Sequence, residues 1–150
     1  MIKKSIIIFC SLFFIMAQAY SEETCTVNGT IRTPYDGDIY IGLYTKKCWQ
    51  NIKYEFPSYP YFQIIKISDD LVKAEKIPFK FEGIKKGEYC IIAYQDKNKD
   101  GNIDRLLGGH ITEPRGLYKE PIVGPCWQNM SFKLDKDIKN VEIAITDTGY

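Results

Sequence analysis

Gly87-Glu88-Tyr89-Cys90-Ile91-Ile92-Ala93-Tyr94-Gln95 followed by Asp96-Lys97-Asn98-Lys99-Asp100-Gly101-Asn102-Ile103-Asp104 decides how the chain is read. The first half is a short, continuous apolar run bounded by a glycine and by polar turn residues. That is the pattern of a strand buried on both faces. The second half carries carboxylates and amides at alternate positions, with a glycine where a tight turn needs one. It matches the first part of a calcium loop.

Outward from this stretch the chain reads as all-β. Runs of β-branched and aromatic residues recur between Gly, Pro, Asp and Asn clusters, and helical periodicity is nearly absent. Residues 25–32 make a first strand and 39–44 a second, with a turn at Pro34-Tyr35-Asp36-Gly37 between them. Alternation puts Ile39, Ile41 and Leu43 on one face of the second strand and Tyr40 and Tyr44 on the other. Strands follow at 62–67 and 77–81, a helical turn is expected within 69–76, and 83–87 is a tight connection into the central run. Residues 130–134 and 141–145 are expected to pair as a closing hairpin. About seven strands in this length fit a β-sandwich.

Residues 1–19 read as a cleaved secretory leader. Lys3 and Lys4 form the basic region, 5–16 the apolar region, and Ala17-Gln18-Ala19 the cleavage site. The apolar run is too short to span a bilayer. A secreted or periplasmic protein is expected, with 20–150 as a single domain and no membrane span after cleavage. Loss of Lys3 and Lys4 takes the formal charge from +1 to −1. That balance argues against a nucleic-acid partner, which calls for a basic face. It leaves an extracytoplasmic ligand or protein as the expected partner.

Cys25, Cys48, Cys90 and Cys126 remain after cleavage. An even count in an exported chain points to disulfides, and the absence of Cys-x-x-Cys spacing argues against zinc. Four cysteines allow three pairings; if the first two strands form a hairpin, Cys25 comes close to Cys48 and Cys90 is left for Cys126. Cys48-Trp49-Gln50-Asn51 recurs as Cys126-Trp127-Gln128-Asn129. The repeat reads as two similar transitions from loop to strand, with Trp49 and Trp127 capping the ends of the core.

Calcium takes six to eight oxygens from a loop that wraps it. With Asp96 at position 1, Asn98 falls at 3, Asp100 at 5, Gly101 at 6, Asn102 at 7 through its carbonyl, and Asp104 at 9. Position 12, a bidentate Glu in an EF-hand, is Leu107. The loop therefore needs an outside ligand, for which Glu113 and water are the candidates. Lys97, Lys99 and Arg105 folding over the carboxylates is the alternative source of counter-charge, and a metal-free Asp/Asn/Gly turn is the plain alternative.

His110 is the single histidine. No nucleophile, zinc or phosphate-loop motif accompanies it, so no catalytic residue is assigned and the protein is read as a non-enzyme. A hydrolase using the acidic loop with His110 and Glu113 is the competing reading. The aromatic segment 54–62 supports another, a carbohydrate- or protein-binding surface.

Gly87-Glu88-Tyr89, the apolar strand, Asp96-x-Asn98-x-Asp100-Gly101-x-Ile103-Asp104, then Gly109, Glu113-Pro114, Gly116 and Gly124-Pro125 carry a resemblance. In these residues the chain resembles the bacterial exported proteins grouped as domain-of-unknown-function family 2141. The resemblance implies a β-sandwich of transthyretin-like or carboxypeptidase-regulatory-like type and no established reaction. It also marks Gln95 as a departure, since the family strand usually leads into His-Asp.

Overall fold

The computed structural model describes residues 23–50, 61–68, 76–104, 111–122 and 126–147. Eight strands and two short helices are present among them. The strands are β1 (Thr24–Arg32), β2 (Ile39–Tyr44), β3 (Tyr61–Ile65), β4 (Ile77–Lys85), β5 (Gly87–Gln95), β6 (Arg115–Leu117), β7 (Phe132–Leu134) and β8 (Ile138–Ala144). The helices are α1 (Lys46–Gln50) and α2 (Trp127–Met130).

The strands form two sheets. One has three strands in the order β4-β1-β8, with β1 antiparallel to β4 and parallel to β8. The other has five, in the order β3-β2-β5-β6, with β7 also on β5. Within it β5 is central. It pairs with β2 over 90–95, with β6 over 92–94 and with β7 over 87–89, always antiparallel.

Alternation explains which faces are covered. On β4 buried and exposed residues alternate, and Ile77, Phe79 and Phe81 point inward. The outward face of that sheet is polar, with Glu142 bridged to Arg32 and Lys76. β2 is buried at all six positions and β5 at seven of nine, so both faces of the larger sheet are covered. Ile39, Ile41, Leu43, Tyr89, Ile91 and Ala93 meet Val27, Ile31, Phe79, Phe81, Val141 and Ile143 in one apolar core between the sheets. Each large side chain fully buried there is worth about 1.5–3 kcal/mol.

The other face of the larger sheet carries a second cluster, built from Tyr40, Tyr44, Cys90, Ile92, Tyr94, Leu117, Trp127 and Met130. The repeated Cys-Trp-Gln segments fall here. Both are short helices that lie on this outward face, with Trp127 buried in the cluster and Trp49 packed against it. They cover a sheet face, where the sequence reading had them capping the core ends.

Two expected hairpins are absent. β1 and β2 lie in different sheets, so the turn at 33–37 carries the chain across the core. β7 pairs with β5 and β8 with β1, so 135–137 is a second crossing. The apolar face of β2 is as read, with Ile39, Ile41 and Leu43 turned to the inter-sheet core, but the two strands of each expected hairpin lie in different sheets. The expected helical turn at 69–76 lies outside the described residues apart from Lys76.

Candidate functional site

The acidic loop leaves the end of β5 and is held from two sides. Gln95 N–H donates to the Pro114 carbonyl at 3.0 Å, and Asp96 N–H to the Asp38 carbonyl at 2.9 Å. The loop therefore springs from a point gripped by the 33–38 turn and by the segment entering β6.

Gln95 supplies much of that grip. It is fully buried, and its Nε2 donates to the carbonyls of Tyr35 at 3.0 Å and Gly37 at 2.9 Å. The Thr33 hydroxyl bonds its Oε1. Both ends of the amide are satisfied, as burial demands. Gly37 adopts φ +115°, and a Cβ placed on it would lie 1.9 Å from the Asp96 carbonyl oxygen. Only glycine allows the turn to press this closely on the root of the loop.

Asp96 is 2% exposed and works from inside the loop. Its Oδ2 accepts from Gly101 N–H at 2.8 Å and its Oδ1 from Asp100 N–H at 3.2 Å. Gly101 at φ +79° and Lys99 at φ +62° make the bend. The Asn98 Nδ2 donates to Asp104 Oδ2 at 2.9 Å and to Asp100 Oδ2 at 3.3 Å, drawing those two carboxylates to one amide. Asn102 is exposed, and its Nδ2 bonds the Asp100 carbonyl at 3.2 Å. Of the five predicted ligands, Asp96, Asn98, Asp100 and Asp104 thus share one hydrogen-bonded turn, whereas the Asn102 side chain stays on its rim.

The outside carboxylate is present. Glu113 is 7% exposed, and its Oε2 accepts from Lys97 N–H at 3.2 Å. Burial raises its pKa, and the charges of Asp104, Asp96 and Asp100 raise it further against the opposing Lys97 bond. A second backbone tie, Thr112 N–H to the Asp104 carbonyl at 2.9 Å, fastens this segment to the loop. Lys97, Asn98, Asp104, Thr112, Glu113, Pro114 and Asp147 line an open cleft of about 340 Å³.

The loop lysines turn toward carboxylates outside the loop. Lys97 Nζ lies 3.5 Å from Asp147 and 4.9 Å from the Tyr35 ring centre, and Lys99 Nζ lies 2.6 Å from Asp36. Among the described residues no three His, Cys, Asp or Glu side chains stand close enough to share a metal ion. Asp96 is turned to the loop amides, and the Asn98 amide stands between Asp100 and Asp104.

Asp36 and Asp147 are residues of the site that the sequence does not mark, and Gln95 is marked there only as a departure from the family pattern. Asp36 and Asp147 lie far from the loop in the chain, and only the crossing turn and the end of β8 bring them near it. His110, Arg105 and Leu107 lie outside the described residues, as does 54–60 of the aromatic segment. Its remaining members are engaged in packing. Tyr61 is half-buried against the inter-sheet core, edge-on to Tyr89 at 6.0 Å, and Phe62 packs on the second cluster.

A family model described as "Uncharacterized protein conserved in bacteria (DUF2141)" matches residues 27–142. The chain belongs to this family. The match runs from β1 into β8 and includes the acidic loop, Gln95 and Glu113. Comparison with curated proteins and with solved structures returns no match.

The Cys25–Cys48 pairing expected from a first hairpin is not compatible with this topology. Cys25 is buried in the inter-sheet core, whereas Cys48 and Cys90 belong to the outward face of the larger sheet. The sheet stands between Cys25 and Cys48. All four thiols are free in the structure.

Proposed function

We propose that this member of the family is a non-enzymatic module exported to the periplasm or beyond the cell. Its acidic loop 96–104 and Glu113 bind calcium, which stiffens this end of the domain for binding an extracytoplasmic ligand or protein. The two layers around one core support reading it as a transthyretin-like β-sandwich. The leader-like residues 1–19 support export.

The observation that carries the calcium reading is Glu113. Burial and three nearby aspartates make the charged form of Glu113 costly and raise its pKa. A divalent cation removes that cost. Binding draws Asp100 and Asp104 inward as the Asn98 amide turns its oxygen toward the ion.

Thermal melting in calcium against chelator tests this, with magnesium as a control. An open loop of this kind belongs with extracellular sites of Kd ~10⁻⁴–10⁻³ M. At ten millimolar calcium that gives about 1.4–2.7 kcal/mol of stabilisation, or a Tm rise of roughly 5–10 °C for a domain of this size. An unchanged Tm sinks the calcium reading.

A further inference from the structure

The cluster on the outward face of the larger sheet holds two thiols brought together by register. Cys90 lies within β5, fully buried, and is the register partner of Tyr44 on β2. Immediately after Tyr44 the chain leaves the sheet and turns into α1. Trp49 N–H donates to the Thr45 carbonyl at 2.9 Å. The Thr45 hydroxyl accepts from Cys48 N–H at 3.3 Å and donates to its Sγ at 3.2 Å. One helical turn therefore separates Cys48 from the residue paired with Cys90. Cys48 and Trp49 then pack on the cluster that contains Cys90.

We propose that Cys48 and Cys90 form a disulfide that fastens α1 to the central strand of the larger sheet. Five residues are too few for a helix to be stable alone, so α1 depends on what it is attached to. A disulfide needs the two Cα atoms within about 4.4–6.8 Å. α1 contains no fully buried residue and rests through Cys48 and Trp49 on the cluster that holds Cys90. The topology excludes Cys25, which faces the other side of the sheet.

The oxidant is an external disulfide, either of a dithiol oxidase or of a small thiol. Cys48 is the accessible partner, half-buried where Cys90 is sealed. Its thiolate attacks one sulfur of the external disulfide, displacing one thiol and leaving a mixed disulfide on Cys48. Cys90 then loses its proton and attacks the Cys48 Sγ, displacing the second thiol. Two protein thiols are oxidised and one external disulfide is reduced to two thiols. The order follows from burial, which pushes the Cys90 thiol up to about 12, with the nearby Cys48 adding to the rise. A thiol so hard to ionise is a poor first nucleophile and reacts once the mixed disulfide is held beside it.

Peptide mapping tests the pairing. The full chain is incubated with oxidised glutathione, free thiols are alkylated, and the protein is cut with trypsin. Lysines place Cys48 on peptide 48–53, Cys90 on 87–97 and Cys126 on 120–133. The expected product joins 48–53 to 87–97, with Cys25 and Cys126 alkylated. A link from 120–133 to either of the others, or alkylation of both Cys48 and Cys90, overturns the proposal. Melting gives an independent readout. Reductant should lower the Tm of the oxidised wild type and of Cys126→Ala by several degrees and leave Cys48→Ala unmoved. A Cys48→Ala protein that still loses stability in reductant also overturns it.

Discussion

Replacing Asp96 by alanine tests whether the loop is built from its first residue. The carboxylate is 2% exposed and accepts from Gly101 N–H at 2.8 Å and Asp100 N–H at 3.2 Å. Asp100 N–H keeps a second acceptor in the Asn98 Oδ1 at 3.1 Å, so the larger loss is at Gly101. A hydrogen bond to a charged group is worth about 1.5–3 kcal/mol. Removing a charge that faces Asp100, Asp104 and Glu113 returns part of this, leaving a net loss of about 2 kcal/mol. With unfolding entropy of about 2.1 cal/mol/K per residue, a domain of about 130 residues loses roughly 7 °C of Tm. Calorimetry in chelator reads the loss directly, and the same scan in calcium should show no gain. If Asp96→Ala in chelator melts within a degree of wild type, the carboxylate does not hold the loop together.

Glu113→Gln should separate charge from structure, since the amide oxygen can still accept from Lys97 N–H. The pKa of Glu113 is raised above its ordinary 4.5, so the folded state holds the proton longer than the unfolded one. Its ionisation therefore costs stability progressively as pH rises from about 4.5 through the folded value. In chelator at neutral pH, Gln should melt above wild type and the gap should close in acid. In calcium the order should reverse, and melts across pH 4–8 check both. Gly37→Ala forces a Cβ to within 1.9 Å of the Asp96 carbonyl at φ +115° and should cost at least about 2 kcal/mol. Its effect should appear in denaturant midpoint and in calcium response together, because the turn presses on the root of the loop.

The faces of the strands were legible in the sequence. Ile39, Ile41 and Leu43 do face one core, and Tyr40 and Tyr44 the opposite cluster. The continuous apolar run at 89–94 is buried on both sides. Gly101 takes the left-handed bend that its place in the loop requires. These follow from local rules. Side chains alternate along a strand, an uninterrupted apolar run has no solvent face, and a left-handed turn favours glycine.

Partnership was not legible. Turn residues at 33–37 announce that the chain reverses, and it reverses equally in a hairpin and in a crossing between layers. The closing pair of strands failed for the same reason, because Phe132 and Leu134 meet Val141 and Ile143 across the core and not beside them in one sheet. Backbone pairing uses the same N–H and C=O groups whatever the residues, so a strand's sequence shows which face is apolar and not which edge it joins. The sequence by itself determined an all-β chain with a doubly buried central strand and a glycine-hinged acidic loop at its end. The tertiary structure decided that Gln95 and Gly37 clamp that loop and that buried Glu113 faces it. It also put Cys48, and not Cys25, on the face of Cys90.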